Sequence, residues 1–168
     1  MRLFNRLLDN PELTEHKRKI DILSPVSGSI NLLDSASNLL FKQRLFGEGV
    51  VIAPTGFQIL APFDAIVLEI SETAHRVRLK DRHGLKLQIH CGWGAQNLNG
   101  EGFKRKVVVG QKLKLGQPIL DFDARKLKLA LEDNAFYITL LNSDKVKGLI
   151  VNPRKVTACE DPVFSVLI

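Results

Sequence analysis

From Val77 to Gly92 the chain reads VRLKDRHGLKLQIHCG. The run Val77-Arg-Leu-Lys80 alternates apolar and polar residues into a turn, Asp81-Arg-His-Gly84, and Leu85-Lys-Leu-Gln-Ile89 alternates out of it. Period-two alternation on both sides of a turn cluster reads as a β-hairpin. The second strand ends on His90, where Cys91 and the glycine-rich Gly92-Trp-Gly94 begin.

Outward from this hairpin the same punctuation recurs. Short apolar runs are broken by Pro, Gly, Asn and Asp, as in Ser24-Pro-Val-Ser-Gly-Ser-Ile30, Gly49-Val-Val-Ile-Ala-Pro-Thr-Gly56, Ala61-Pro-Phe-Asp-Ala-Ile-Val67 and the stretch from Val107 to Leu120. That pattern predicts an all-β antiparallel sandwich or barrel. No alternation of strands with long helices appears, which argues against a doubly wound sheet. Residues 124–132, ARKLKLALE, fit a helix and a strand equally well. The segments at Ser24 and Ala61 share a small-Pro-x-x-small-x-apolar pattern, a faint sign of a duplicated strand-turn unit.

The 168 residues suit one domain with a sizeable core, and 45% hydrophobic with 25% charged residues is the balance of a soluble globular protein. We expect residues 1–19 to form an amphipathic amino-terminal segment and linker, and residues 20–168 the domain. Leu3, Phe4, Leu7 and Leu8 fall on one helical face beside Arg2 and Arg6, so a weak contact of residues 2–9 with anionic membrane is expected. No run of about 18 apolar residues spans a membrane. The two cysteines form no CxxC pair, which points to a reducing, cytoplasmic setting. A net charge of +6 attracts anionic partners. Aromatics do not interleave with the basic residues, so no nucleic acid is expected as a partner.

His16 and His83 read as solvated. His75 and His90 flank the hairpin. Pairing residue 80 with 85 sets 75 opposite 90, with Cβ atoms about 4.5–5.5 Å apart. The cleaner apolar register, Val77 with Leu87 and Leu79 with Leu85, leaves the histidines on opposite faces unless a bulge re-aims one. Proximity is predicted, geometry is not. Two close imidazoles can pack, bind a metal or do chemistry. Zinc needs a third protein ligand. No ligand motif is present and Cys91 alternates to the other strand face, so no metal and no cofactor are expected. Chemistry here means nucleophilic: a neutral imidazole nitrogen takes a phosphoryl group and the second histidine holds its oxygens. Thr73, two residues before His75, can fix the His75 tautomer. Cys91 lacks an assignable basic activator and is expected to pack.

Ser24-Pro-Val-Ser-Gly28, Phe41 before Gly47–Gly56, Ala61-Pro-Phe-Asp64, Glu72-Thr-Ala-His75, Gly84–Gly92 and Gly100-Glu-Gly-Phe-Lys-Arg105 stand in one order and spacing. Through them the chain, from about Ile22 to its end, resembles the glucose-type enzyme IIA domains of the bacterial phosphoenolpyruvate-dependent sugar phosphotransferase system. The resemblance implies an antiparallel β-sandwich of duplicated hybrid-motif type. It implies a phosphocarrier in which His90 is phosphorylated, His75 is its partner and Thr73 orients His75. The implied donor is the phosphohistidine carrier HPr, and the implied acceptor is a cysteine of an enzyme IIB domain in a IIB/IIC sugar permease. Regulatory target proteins are further implied partners, and the implied location is the cytoplasm, peripheral at the inner face of the membrane.

The resemblance is broken beside the acceptor. The family continues apolar-Asp-Thr after its His-x-Gly, and this chain reads Trp93-Gly94-Ala95. The partner face is expected to include Phe41, Arg76, Arg78 and Asp144, and its basic residues depart from the family's apolar and acidic surface. Two functions therefore stand side by side: a phosphotransferase component with altered partners, and a diverged regulatory module that binds proteins without transferring phosphate.

Overall fold

The computed structural model describes residues 18–168. The amphipathic segment expected at residues 2–9 lies outside them. Fourteen strands are present among the described residues. They are β1 (Lys19–Leu23), β2 (Gly28–Leu32), β3 (Glu48–Pro54), β4 (Gln58–Leu60), β5 (Ala65–Ile70), β6 (Arg76–Lys80) and β7 (Lys86–Cys91). There follow β8 (Phe103–Arg105), β9 (Lys112–Leu113), β10 (Pro118–Phe122), β11 (Phe136–Leu140), β12 (Gly148–Ile150), β13 (Lys155–Val156) and β14 (Pro162–Leu167). Helices α1 (Leu39–Lys42) and α2 (Ala124–Ala130) are short. The expected antiparallel β-sandwich is what forms.

An eight-stranded sheet runs β13-β2-β3-β11-β7-β6-β5-β9, beside two three-stranded sheets, β1-β14-β12 and β4-β10-β8. This order carries a hidden symmetry. Replacing β1, β2, β3, β11, β12, β13 and β14 by β4 to β10 in turn converts β1-β14-β12 into β4-β10-β8, and one half of the large sheet into the other. The chain is two copies of a seven-strand unit, with the second inserted between β3 and β11 of the first. The echo at Ser24 and Ala61 marks equivalent places, since each leads into the matching strand, β2 or β5. The two units join where β7 pairs with β11.

The hairpin is present in a register that differs from both sequence expectations. Val77 faces Ile89, Leu79 faces Leu87 and Lys80 faces Lys86. The reason is the loop. The Asp81 carboxylate accepts from the backbone N–H groups of His83 and Leu85, both at 2.8 Å, and Asp81 N–H donates to the Leu85 carbonyl at 3.0 Å. Residues 81–85 are thereby committed to the turn, and β7 is shifted along β6. Val77, Leu79, Leu87 and Ile89 are at most 1% exposed and share the core with Ile138 and Leu140 of β11. The alternate positions, Arg76, Arg78, Gln88, His90, Tyr137 and Thr139, occupy the other face.

The ambiguous stretch at residue 124 is helical. Asp123 caps it by accepting from Lys126 N–H at 3.0 Å. Leu127 is buried while Leu129 is 80% exposed, the pattern of one inward side chain per turn and not of a strand.

Candidate active site

His90 stands at the seam of the two units. On β7 it lies directly across from Tyr137 on one side and Arg76 on the other. Its ring is 5% exposed and has three aromatic neighbours. Trp93 stacks at 5.4 Å between ring centroids, Phe41 meets it edge-on at 5.5 Å, and His75 lies perpendicular at 5.2 Å. A hydrogen bond with the Gly92 backbone engages the ring, and Nε2 is buried with no partner among the described residues. The backbone bond therefore falls on Nδ1 and leaves the Nε2 lone pair uncommitted. Burial first, then the charges of His75 and Arg76, push the His90 pKa down to about 3. The ring is neutral at physiological pH, the form that a nucleophile requires.

Backbone after His90 is built around Gly92. Its φ of +77° is open to glycine, and a Cβ there would stand 2.7 Å from a Leu131 methyl carbon. Gly92 N–H and Trp93 N–H donate to the carbonyls of Ala135 and Asp133 at 3.2 and 2.9 Å. Trp93 is thus carried over the His90 ring by main-chain bonds. Where the family places an aspartate and a threonine, this chain has Gly94 with φ +85° and a buried Ala95.

His75 is placed by the turn between β5 and β6. Ala74 N–H closes the turn onto the Ser71 carbonyl at 2.8 Å, and Ala74 has a φ of +60°. This left-handed residue, and not a bulge, turns His75 toward His90. Thr73 Oγ1 lies 2.6 Å and Ser71 Oγ 3.2 Å from His75 Nδ1. The His75 carbonyl accepts from Cys91 N–H at 2.7 Å, tying the turn to the end of β7. With Nδ1 held by two hydroxyls, Nε2 is the nitrogen left to meet a ligand. Burial, followed by the Arg76 charge, lowers the His75 pKa.

The expected site residues separate into two groups. Structure brings together His90, His75, Thr73, Phe41 and Arg76. Phe41 is wholly buried: it stacks on Tyr137 at 3.9 Å and backs the His90 ring. Arg78 lies one alternation further along β6, paired with Glu69 at 3.2 Å and donating to Gln88 Oε1 at 2.8 Å. Asp144 lies elsewhere, in the turn Ser143–Lys145 after β11. That end of the sheet is the hairpin-loop end, because Asn142 donates to the Gly84 carbonyl at 2.9 Å.

Four contributors escaped sequence reasoning. Ser71 is a second hydroxyl on His75. Glu69 pairs with both Arg76 and Arg78, so the face is less basic than its arginines suggest. Trp93 covers His90. Arg105, the last residue of the Gly100–Arg105 motif, donates from Nη2 to the carbonyls of Ser71 and Glu72 at 2.8 and 3.2 Å. Arg105 carried a sequence signal as part of that motif, and Trp93 as part of the stretch after His90 where the resemblance breaks. Cys91 is buried in the core with its thiol pKa pushed up by desolvation, as expected of a packing cysteine.

This arrangement suits group transfer through a neutral imidazole: one nitrogen fixed, one free, with a second oriented imidazole beside it. The chain is similar to known proteins. Over residues 20–146 the chain matches the family described as phosphoenolpyruvate-dependent sugar phosphotransferase system, EIIA 1. It is 28% identical over 165 residues to the PTS system glucose-specific EIIA component of Haemophilus influenzae, with 98% of each chain covered. It is 32% identical over 130 residues to the component of the same name from Borreliella burgdorferi, covering 77% of this chain and 69% of that one. Its fold is similar to that of the glucose permease IIA from Mycoplasma capricolum, with a TM-score of 0.80 at 22% identity over 89% of this chain and 96% of the other. With the matched region and these relatives in agreement, the chain belongs to the EIIA 1 family of the phosphoenolpyruvate-dependent sugar phosphotransferase system.

Proposed function

We propose that the chain is a phosphocarrier of sugar uptake that works through His90. The reading rests on one observation above all: a buried, neutral His90 whose Nε2 has no partner among the described residues, 5.2 Å between centroids from a His75 held at its Nδ1. His90 Nε2 attacks the phosphorus of the phosphohistidine on HPr. The new N–P bond forms as the old one breaks, and the donor nitrogen keeps the electron pair. His75 Nε2 holds a phosphoryl oxygen. A cysteine thiolate of an enzyme IIB domain then takes the phosphoryl group and His90 returns to the neutral imidazole. The relay runs in the cytoplasm, beside the IIB/IIC permease.

Mixing the protein with phosphoenolpyruvate, enzyme I and HPr tests this. Intact-mass analysis should show an acid-labile phosphoryl group that is absent from His90→Ala. His75→Gln should still be labelled but pass the group on more slowly, because the acceptor nitrogen remains while the oxygen-holding partner is lost. Failure of the wild-type protein to take label would favour the regulatory module instead. Two features support that second reading: the acceptor nitrogen is covered, and Trp93-Gly94-Ala95 replaces the family's apolar-Asp-Thr.

A further inference from the structure

A phosphoryl group on a histidine brings about two negative charges into a site with little access to water. Phosphoryl transfer depends on positioning and on neutralising that charge, usually with arginine, lysine or a metal. Arg76 is the residue directly across from His90 on the β6–β7 ladder. Directly opposed residues share a face, with Cβ atoms about 4.5–5.5 Å apart.

Arg76 is held in an unusual way. Its Nη2 pairs with the Glu69 carboxylate of β5, on the side away from His90. Its Nε is buried and has no partner among the described residues. Burying a guanidinium N–H without an acceptor is costly. Its neighbour across the ladder, His90 Nε2, is likewise buried without a partner. A lone donor and a lone nucleophile, both buried, therefore stand on opposed residues of one face. Arg76 acts on both imidazoles electrostatically. Glu69 also pairs with Arg78, so the three side chains retain one net positive charge before any phosphate arrives.

We propose that Arg76 is the phosphoryl-binding cation of this site, supplied by the chain itself, with its guanidinium bonded to oxygens of the group carried on His90 Nε2 and held in place by Glu69. The inference rests on the phosphocarrier reading and deepens it. Phosphate on His90 fills both vacancies at once, since the nitrogen gains its bond and the guanidinium its acceptor. A donor or acceptor protein then need not bring its own cation to the transfer.

The test compares labelling rates, with phosphoenolpyruvate, enzyme I and HPr, of wild type, Arg76→Gln, Arg76→Lys, Glu69→Gln and Lys80→Gln. Arg76→Gln should label at least about 100-fold more slowly. Arg76→Lys should recover part of the loss, and Glu69→Gln should be intermediate because the cation remains but its anchor is gone. Lys80→Gln removes the same charge further along β6 and should change the rate by less than about threefold. Thermal melting establishes that each variant is folded. A second readout separates binding from scaffolding: protein phosphorylated with the small donor phosphoramidate is titrated by phosphorus NMR. The phosphoryl resonance should titrate about one pH unit higher in Arg76→Gln than in wild type. Equal labelling rates in folded Arg76→Gln and wild type, or an unchanged phosphoryl titration, would overturn the role of Arg76 and leave the phosphocarrier reading intact. No label on wild type would instead remove the reading on which the proposal rests.

Discussion

At the residue scale, what distinguishes His90 and His75 from ordinary histidines is the loss of water. Both are more than nine-tenths buried. Burial lowers both pKa values, that of His90 to about 3. An unfolded histidine titrates near 6.5. Below that pH the unfolded chain takes up protons that the folded chain refuses, so stability rises with pH across this window and erodes as pH falls from about 6.5 toward 3. We expect the urea midpoint of the wild type to drop between pH 6.5 and 5, where most carboxylates are still ionised. His90→Gln should show a shallower drop over the same range. Parallel curves for the two proteins would mean that His90 is not kept neutral by the fold.

Sequence pointed to the pair and to Thr73, because a hydroxyl two residues before a histidine is a local relation. The contacts of Ser71 and Glu69 were not legible for the opposite reason. Their roles arise from the turn at Ala74 and from the order of β5, β6 and β7, which no local pattern reveals.

At the element scale, the turn between β5 and β6 is the device that aims His75. It is braced from outside by Arg105 of β8, whose guanidinium caps the carbonyls of Ser71 and Glu72. These bonds are exposed, so their contribution to global stability is small. Their contribution to the direction of the His75 ring is larger, since Ser71 and Thr73 both belong to the turn. We therefore expect Arg105→Ala to lower the unfolding free energy by no more than about 1 kcal/mol. Passage of phosphate from His90 onward should slow by about tenfold, which is about 1.4 kcal/mol at the transition state. Single-turnover transfer beside a urea titration checks the split. A variant that lost stability and kept its transfer rate would show that the brace serves only the scaffold. The strands of this hairpin were readable from alternation, but its register was not. The apolar residues permitted more than one alignment, and Asp81 decided among them by taking five residues into the loop.

At the scale of the whole molecule, the site lies where two nested seven-strand units meet. Strand β7 belongs to one and β11 to the other, and His90 faces Tyr137 across that seam. The segment between β2 and β3 then lays Phe41 over the seam, stacked on Tyr137 and edge-on to both His90 and Trp93. Phe41 thus joins a small apolar cluster, with Leu33, Ala36 and Tyr137, to the His90 ring. Phe41→Ala should cost about 3–5 kcal/mol. It should also raise the His90 pKa from about 3 toward the ordinary value, because the desolvation that lowers it is partly relieved. Denaturation and proton NMR titration of the ring measure the two effects together. A large stability loss with an unmoved pKa would place the source of desolvation elsewhere.

By itself the sequence determined the strand-rich class, the hairpin, the presence of two histidines at its ends and the hydroxyl that orients one of them. Each of these is written in short-range alternation, turn chemistry or spacing of a few residues. Tertiary structure alone decided that Arg76 faces His90, that Glu69 holds Arg76, that Phe41 lies beneath the ring and that two units close around the seam. Those relations join residues on different strands or follow from a register fixed by the loop. The strand relations depend on which backbone groups pair across the sheet, and a one-residue slip in that pairing would turn a strand's side chains to the other face.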